Sequence, residues 1–349
     1  MYSELMGYQM PIFKQYVSSK NNEVHVMHWD HKKLTVFEPS FLEKVFYYKR
    51  SEYNLFQLKK FIKELNPNII FVSGWMDKDY LKAIRIYRKN GIPIVTGIDN
   101  IWSNSIKQKM ASLLFPWIKN LFFTHAWVAG PYQYEFAKKI GFNSNNIIHN
   151  CYSADLNLFN SVFKESIEYK EKKYPHKFLF VGRLEEIKGV DMLINAWENI
   201  NAKEEAKDWQ LTLIGDGPLK GLISKFKNVE HINFLQPEEL TVEIKKYGCF
   251  VLPSRNEPWG LVLHEFAAAG FPIICSKNCG AVPMFVINNF NGYTFTPNNI
   301  EDLENQMLKI INSSDEELLK KSLFSHTMGQ RITPEISAAN FLSLTTFKV

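Results

Sequence analysis

The chain of 349 residues is poor in cysteine, with only Cys151, Cys249, Cys275 and Cys279. Three of them fall in or beside apolar runs that read as strands, and no secretory leader precedes them, so reduced thiols are expected in place of a disulfide framework. Cys275 and Cys279 have a loose metal-ligand spacing, but no second pair or histidine cluster completes a tetrahedral site. Also missing is any run of roughly 18 uninterrupted apolar residues, the length a membrane-spanning helix needs. Residues 1–20 carry Glu4, Gln9 and Lys14 where a leader would be apolar. Both features make a cytoplasmic location the expectation. A large surplus of one charge is absent as well. The formal net charge is +5, and the basic residues are spread through helical stretches without forming arms or stripes, so nucleic acid is not an expected partner. No short-period repeat or low-complexity tract interrupts the chain.

What is present is enough apolar material, 46% of residues, for the two cores that a chain of this length is expected to build. Over 24–152, short apolar or β-branched runs alternate with helical patterns, the rhythm of a mostly parallel sheet covered by helices. Strands are predicted at 24–28, 69–73, 92–96, 126–129 and 147–150, with helices at 55–65 and 80–90. A polar, lysine-rich stretch at 160–177 breaks the rhythm and sets the expected boundary: a first domain over 1–160 and a second over 161–329. The second half predicts strands near 178–182, 210–214, 230–234, 249–252 and 272–276. Between the first two of these, Val190, Leu193, Ile194 and Trp197 form the stripe of a sheet-facing helix. At the N-terminus, 2–9 read as a strand-to-helix loop and 10–17 as its helix, with no strand ahead of them. The expectation is that the first, central strand of the first domain is missing, through a misassigned start or a truncation.

The chemistry-bearing residues cluster at predicted strand ends of the second half. Val181-Gly182 runs into Arg183-Leu184-Glu185-Glu186-Ile187-Lys188-Gly189, putting two cations on one loop. Val251-Leu252-Pro253-Ser254-Arg255-Asn256-Glu257-Pro258-Trp259-Gly260-Leu261 ends a strand and opens a helix that continues to Glu265. Glu257 lies just ahead of that helix and Glu265 a little over two turns further on, so both are expected near its mouth, with the amides of Trp259, Gly260 and Leu261. Helix amides and fixed cations suit a diphosphate, and carboxylates accept from vicinal hydroxyls. A solvated loop and a glutamate that merely complements a helix dipole fit each piece taken singly. Gly215-Asp216-Gly217-Pro218 and Phe234-Leu235-Gln236-Pro237 are further strand-end turns; the second could meet a nucleobase or be a plain turn.

Together, these segments and Ala269-Gly270-Phe271-Pro272 resemble, in order and spacing, the retaining glycosyltransferases of family 4, the group 1 glycosyltransferases. The resemblance covers about 150 residues of the second half. It implies the α/β GT-B fold, two Rossmann-like αβα domains facing a cleft, with a C-terminal helix near 330–349 returning to the first domain. It implies that Arg183 and Lys188 bind the donor diphosphate, that Glu257 contacts the sugar, and that Glu265 contacts the ribose. Gly182, Leu235, Trp259, Gly260 and Leu261 complete the implied donor site. No metal or cofactor is required, the nucleotide-sugar being the substrate. The first domain matches more loosely: the glycine pair expected near the donor phosphate is reduced to Gly7, and the histidine of the resembled family is replaced by Ile98. Gly7 and Asp99 are the acceptor-side residues this leaves, and Asp99 reads equally well as a turn cap.

The activity implied is transfer of a hexose, with retention, from a UDP-sugar ahead of a GDP-sugar. The acceptor would be a hydroxyl of a glycan or lipid-linked molecule in surface polysaccharide or glycolipid biosynthesis. A GT-B sugar-nucleotide epimerase and a non-catalytic glycosyltransferase-like binding subunit are the alternatives. His125 and His149 lie near strand ends, where backbone partners can satisfy them. Asp77-Lys78-Asp79 mimics the metal-binding motif of the other glycosyltransferase fold but reads as the cap of the helix at Tyr80. Residues 106–123 combine Lys107, Lys109 and Lys119 with Met110, Leu113, Leu114, Phe115, Trp117, Ile118, Leu121 and Phe122 around Pro116. This segment is either a peripheral face for an anionic membrane, at its inner surface, or a core-facing helix pair.

Overall fold

The computed structural model describes residues 1–18, 22–30 and 37–346. The chain divides into two compact units, the first built from Met1–Ser153 with the segment from Ile332 onward, the second from Ala154–Arg331.

In the first unit the strands are β1 (Val24–His28), β2 (Val45–Lys49), β3 (Ile70–Val72), β4 (Ile94–Ile98), β5 (His125–Val128) and β6 (Ile147–His149). The helices are α1 (Met10–Ser18), α2 (Leu55–Leu65), α3 (Lys78–Lys89), α4 (Ile106–Phe122) and α5 (Pro131–Lys139). β1 and β2 pair in parallel, and β3-β4-β5-β6 form a separate parallel sheet. Met1 and Tyr2 lie between the two. The Met1 ammonium donates to the Phe71 carbonyl at 2.9 Å, and Ser73 N–H donates to the Met1 carbonyl at 3.0 Å. On the other side, Tyr2 N–H donates to Met27 O at 2.8 Å and Trp29 N–H to Tyr2 O at 3.3 Å. Counting this two-residue stub as a strand, the order is β2-β1-stub-β3-β4-β5-β6, the doubly wound 3-2-1-4-5-6 pattern extended by a seventh strand. The position of the central strand is therefore occupied only at its C-terminal end, while 7–9 make a 3₁₀ turn into α1.

The second unit holds β7 (Lys177–Val181), β8 (Gln210–Ile214), β9 (Val229–Ile232), β10 (Cys249–Leu252), β11 (Ile273–Ser276) and β12 (Gly292–Phe295). Its helices are α6 (Leu156–Lys172), α7 (Val190–Asn201), α8 (Lys220–Ile223), α9 (Pro237–Glu243), α10 (Leu261–Ala268), α11 (Val282–Phe285), α12 (Ile300–Ile311) and α13 (Asp315–Gly329). The sheet is parallel throughout with order β12-β11-β10-β7-β8-β9, again 3-2-1-4-5-6 read from β9. Val190, Leu193, Ile194 and Trp197 of α7 are buried as their spacing requires, the three aliphatic ones contributing about 1.5–3 kcal/mol each on removal from water.

The chain passes between units at 153/154, not at 160/161. Most of the lysine-rich stretch that reads as a linker is α6, whose Asp155 cap accepts from Leu158 N–H at 3.2 Å. Leu156, Phe159 and Val162 bury its inner face. Lys170 is buried with them, donating to the Gly270 carbonyl at 3.2 Å above the Phe271 ring, and burial pulls its ammonium down to about 7. Counting lysines therefore misjudged how much of this helix is packed. α14 (Pro334–Thr346) belongs to the first unit. Its Phe341 stacks on Trp127 with centroids 4.9 Å apart, and Asn340 donates to the His149 carbonyl at 3.0 Å. Residues 347–349 lie outside the described residues.

Candidate active site

In a doubly wound sheet, ligands sit beyond the C-terminal strand ends where the strand order reverses. In the second unit that point lies between β7 and β10, and the loops leaving these two strands carry Arg183, Lys188 and Glu257. Gly189 ends the first loop at φ 72°, and a Cβ there would stand 2.1 Å from the Pro253 carbonyl of the second. The absence of a side chain is what lets the loops touch. Across the junction the Lys188 ammonium donates to Glu257 Oε2 at 2.6 Å, with both side chains largely buried.

Glu257 is held from several directions. Ser254 Oγ donates to the same Oε2 at 3.1 Å. The Glu257 N–H donates to Asn278 O at 3.1 Å, and its carbonyl accepts from Gly280 N–H at 3.0 Å. Arg255 anchors the loop to α7 through two 2.7 Å bonds to Asp191, and its guanidinium holds that carboxyl below the usual range. Ser254, Arg255 and Asp191 were not singled out in the sequence. A small hydroxyl three residues ahead of the glutamate was the one readable sign. Arg183 is half-exposed on its loop, 3.2 Å from Glu185 Oε1. Gly182 leaves β7 bonded to Ile214 O at 3.0 Å, next to the Gly215-Asp216-Gly217 turn. Asp216 accepts from Phe234 N–H at 3.1 Å, setting the turn that presents Phe234 and Leu235, the former exposed.

Gly260, in the left-handed region at φ 89°, precedes α10, and no side chain caps that helix. Leu263 N–H turns back to Gly260 O at 2.9 Å, and among the described residues no side chain accepts from the Leu261 and Val262 amides, the arrangement an anion can exploit. Trp259 is buried against Phe285 and contributes backbone, accepting from Ala281 N–H at 2.9 Å. Glu265 lies one turn into α10. Desolvation, with Asp155 nearby adding repulsion, raises its carboxyl to about 7. The preceding His264 is fully buried: its Nδ1 accepts from Ala154 N–H at 3.1 Å and its Nε2 faces the Gly329 carbonyl at 2.8 Å, which fixes the tautomer and the roll of the helix.

The first unit has its own pocket at the corresponding sheet edge, a cavity of about 520 Å³. Tyr2, Tyr8, Trp75, Trp127, Tyr152 and Asp99 are among its lining residues. Asp99 accepts from Tyr152 O–H at 3.3 Å, and desolvation raises its carboxyl above the ordinary range. It caps no helix: Ser105 caps α4 by accepting from Gln108 N–H at 3.4 Å. Gly7 does not line the cavity, which its neighbours Met6, Tyr8 and Gln9 do, because its missing side chain faces Phe37. Ile98 is buried in the core. His125 bonds Thr124, and His149 stacks on Tyr134. Asp77 accepts from Asp79 and Tyr80 N–H groups and pairs with Arg50 at 3.0 Å, so it is a helix cap.

The two doubly wound units define a GT-B protein, and the likeness to solved structures covers the whole chain. Anabaena HepE in complex with UDP-glucose aligns over 99% of this chain and 97% of its own, at a TM-score of 0.70 and 16% identity. The lipopolysaccharide outer core galactosyltransferase WaaB aligns over 100% and 98%, at 0.70 and 17%. Residues 162–322 match the model for glycosyl transferases group 1, a stretch that lies within the second unit. An uncharacterized glycosyltransferase of Methanocaldococcus jannaschii is 35% identical over 185 residues, 51% of this chain and 49% of the relative. The match thus spans about half the length of that curated relative.

Proposed function

We propose that the protein is a glycosyltransferase that moves a hexose from a UDP-sugar, in preference to a GDP-sugar, to a hydroxyl of a glycan or lipid-linked acceptor, with retention and without a metal. Surface polysaccharide or glycolipid biosynthesis is the setting this reading implies, at the inner face of a membrane. The observation that carries it is the Lys188–Glu257 pair at the strand-order reversal of a group 1 glycosyltransferase unit. A carboxylate and an ammonium held together without donor are the two groups a nucleotide-sugar would separate. The diphosphate takes Lys188 and the half-exposed Arg183, and the sugar hydroxyls donate to Glu257. Glu265 accepts from the ribose.

In transfer, the bond from the anomeric carbon to the diphosphate oxygen breaks as the acceptor oxygen bonds to the same face of the sugar. The acceptor proton passes to the leaving phosphate. Charge grows on that phosphate, where Arg183, Lys188 and the first-turn amides of α10 can stabilise it. Asp99 and Tyr152 lie in the first unit's pocket, where they would orient the acceptor. The test is transfer or slow donor hydrolysis with a panel of UDP- and GDP-sugars, with and without EDTA. Turnover that survives chelation and falls by about a hundredfold in Arg183→Ala or Lys188→Ala is expected. Loss of activity in EDTA, or unchanged turnover in both variants, overturns the assignment.

A further inference from the structure

α4 is one 17-residue helix that turns its apolar side outward. Ile106, Met110, Leu113, Trp117 and Leu121 recur at intervals of four, three, four and four residues, one stripe along a helix. Sheet-facing helices bury such a stripe. Here Ile106, Leu113 and Trp117 are 77%, 75% and 79% exposed, and the one buried residue of α4 is Phe115, on the opposite side. The core-facing reading of 106–123 is thereby set aside, and Pro116 sits inside the helix without ending it. Large contiguous apolar faces on soluble proteins mark interaction sites.

We infer that this outward face of α4 docks on an anionic lipid bilayer. Charge selects the occupant. α4 contains three lysines and no aspartate or glutamate, and Lys107 and Lys109 are exposed beside the stripe at the N-terminal end. A tryptophan and aliphatic residues flanked by lysines form the composition of a helix lying in the interface plane, apolar side in the acyl boundary and ammonium groups at the headgroups. The helix is not long and apolar enough to cross a membrane. Through its opposite, buried side the helix also adjoins the first unit's pocket. Trp75 packs on Phe115 with centroids 4.5 Å apart, and Trp75 and the exposed Met76 both line that cavity. Resting on the proposed transferase reading, this makes the acceptor a molecule anchored in the same bilayer, presented beside the docked helix.

The experiment is co-sedimentation of the full chain with phosphatidylcholine vesicles, with and without phosphatidylglycerol, for the wild type, Leu113→Glu with Trp117→Glu, and Lys107→Glu with Lys109→Glu. Wild-type binding should need the anionic lipid and weaken with salt, and each double variant should lose ~10-fold or more of it. All three should keep the same thermal shift with UDP, which confirms folding and tests the donor site separately. Vesicle binding without any UDP response overturns the transferase reading and leaves the docking face standing. Absence of binding by the wild type, or equal binding by the variants, overturns the docking face alone. So does a wild-type dimer in solution that Leu113→Glu with Trp117→Glu dissolves, since a second copy then covers the stripe.

Discussion

At the scale of single residues, the Lys188–Glu257 pair has a structural part that can be separated from the catalytic part proposed for it. Removing one partner of a largely buried pair leaves the other charge uncompensated. Lys188→Ala should therefore lower the unfolding free energy of the second unit by about 2 kcal/mol or more, and adding Glu257→Gln should recover part of that without restoring transfer. Chemical denaturation beside turnover measurements checks this; recovery of transfer by the double variant would make Lys188 purely structural. Glu265 has a different signature. Its folded carboxyl titrates at about 7, above the ordinary 4.5, so the folded state retains a proton that the unfolded state has lost. Between those values stability falls as pH rises. Glu265→Gln, a mimic of the protonated form, should melt above the wild type at pH 8 and converge with it below pH 5. If Glu265 binds the ribose as a carboxylate, wild-type affinity for UDP should rise from pH 6 to 8 while that of the variant stays flat. A flat wild-type profile would remove Glu265 from the site.

At the scale of elements, β7, β8 and β10 were legible because each is a run of mainly apolar or β-branched residues closed by a glycine or proline turn, the pattern of a strand buried on both faces. β2 was not. It is half-exposed, with only Val45 buried, and its Tyr48 packs sideways on Phe61 with centroids 4.6 Å apart. β12 also escaped reading: four residues following a turn carry too short a period to separate from a loop. The gap at the central position of the first sheet was visible as a loop and helix with no strand ahead of them, and only coordinates reveal that Met1 and Tyr2 bond to both flanking strands. Among the described residues, the backbone hydrogen bonds of this stub reach only the C-terminal ends of β1 and β3. Amide exchange should accordingly be faster across β1, β2 and β3 than in β7 and β10, the centre of the complete sheet. Equal protection in the two sheets would mean that packing of α1, α2 and α3 compensates for the missing ladder.

At the scale of the molecule, the loops of the second unit that carry Arg183, Lys188 and Glu257 could be read from sequence because they lie at fixed offsets from buried strands. The first unit's pocket could not, since it draws Tyr2, Trp75, Asp99, Trp127 and Tyr152 from five separate segments with no shared spacing. Nor could composition mark the crossing at 153/154, because α6 packs a lysine within its buried face. The chain leaves the first unit there, builds the second, and returns at Ile332 to add α14. Two units with separate cores need not unfold together. Calorimetry on the full chain should resolve two transitions, the lower from the first unit with its interrupted sheet. UDP should raise only the upper one, by an amount that grows with the logarithm of its concentration. Deleting residues 334–349 removes Phe341 from its stack on Trp127 and its tilted contact with Tyr16, and the loss of one buried aromatic costs about 3–5 kcal/mol. That deletion should lower the first transition sharply and leave the UDP-responsive one in place. A single transition, shifted as a whole by both UDP and the deletion, would show that the two units melt as one cooperative body.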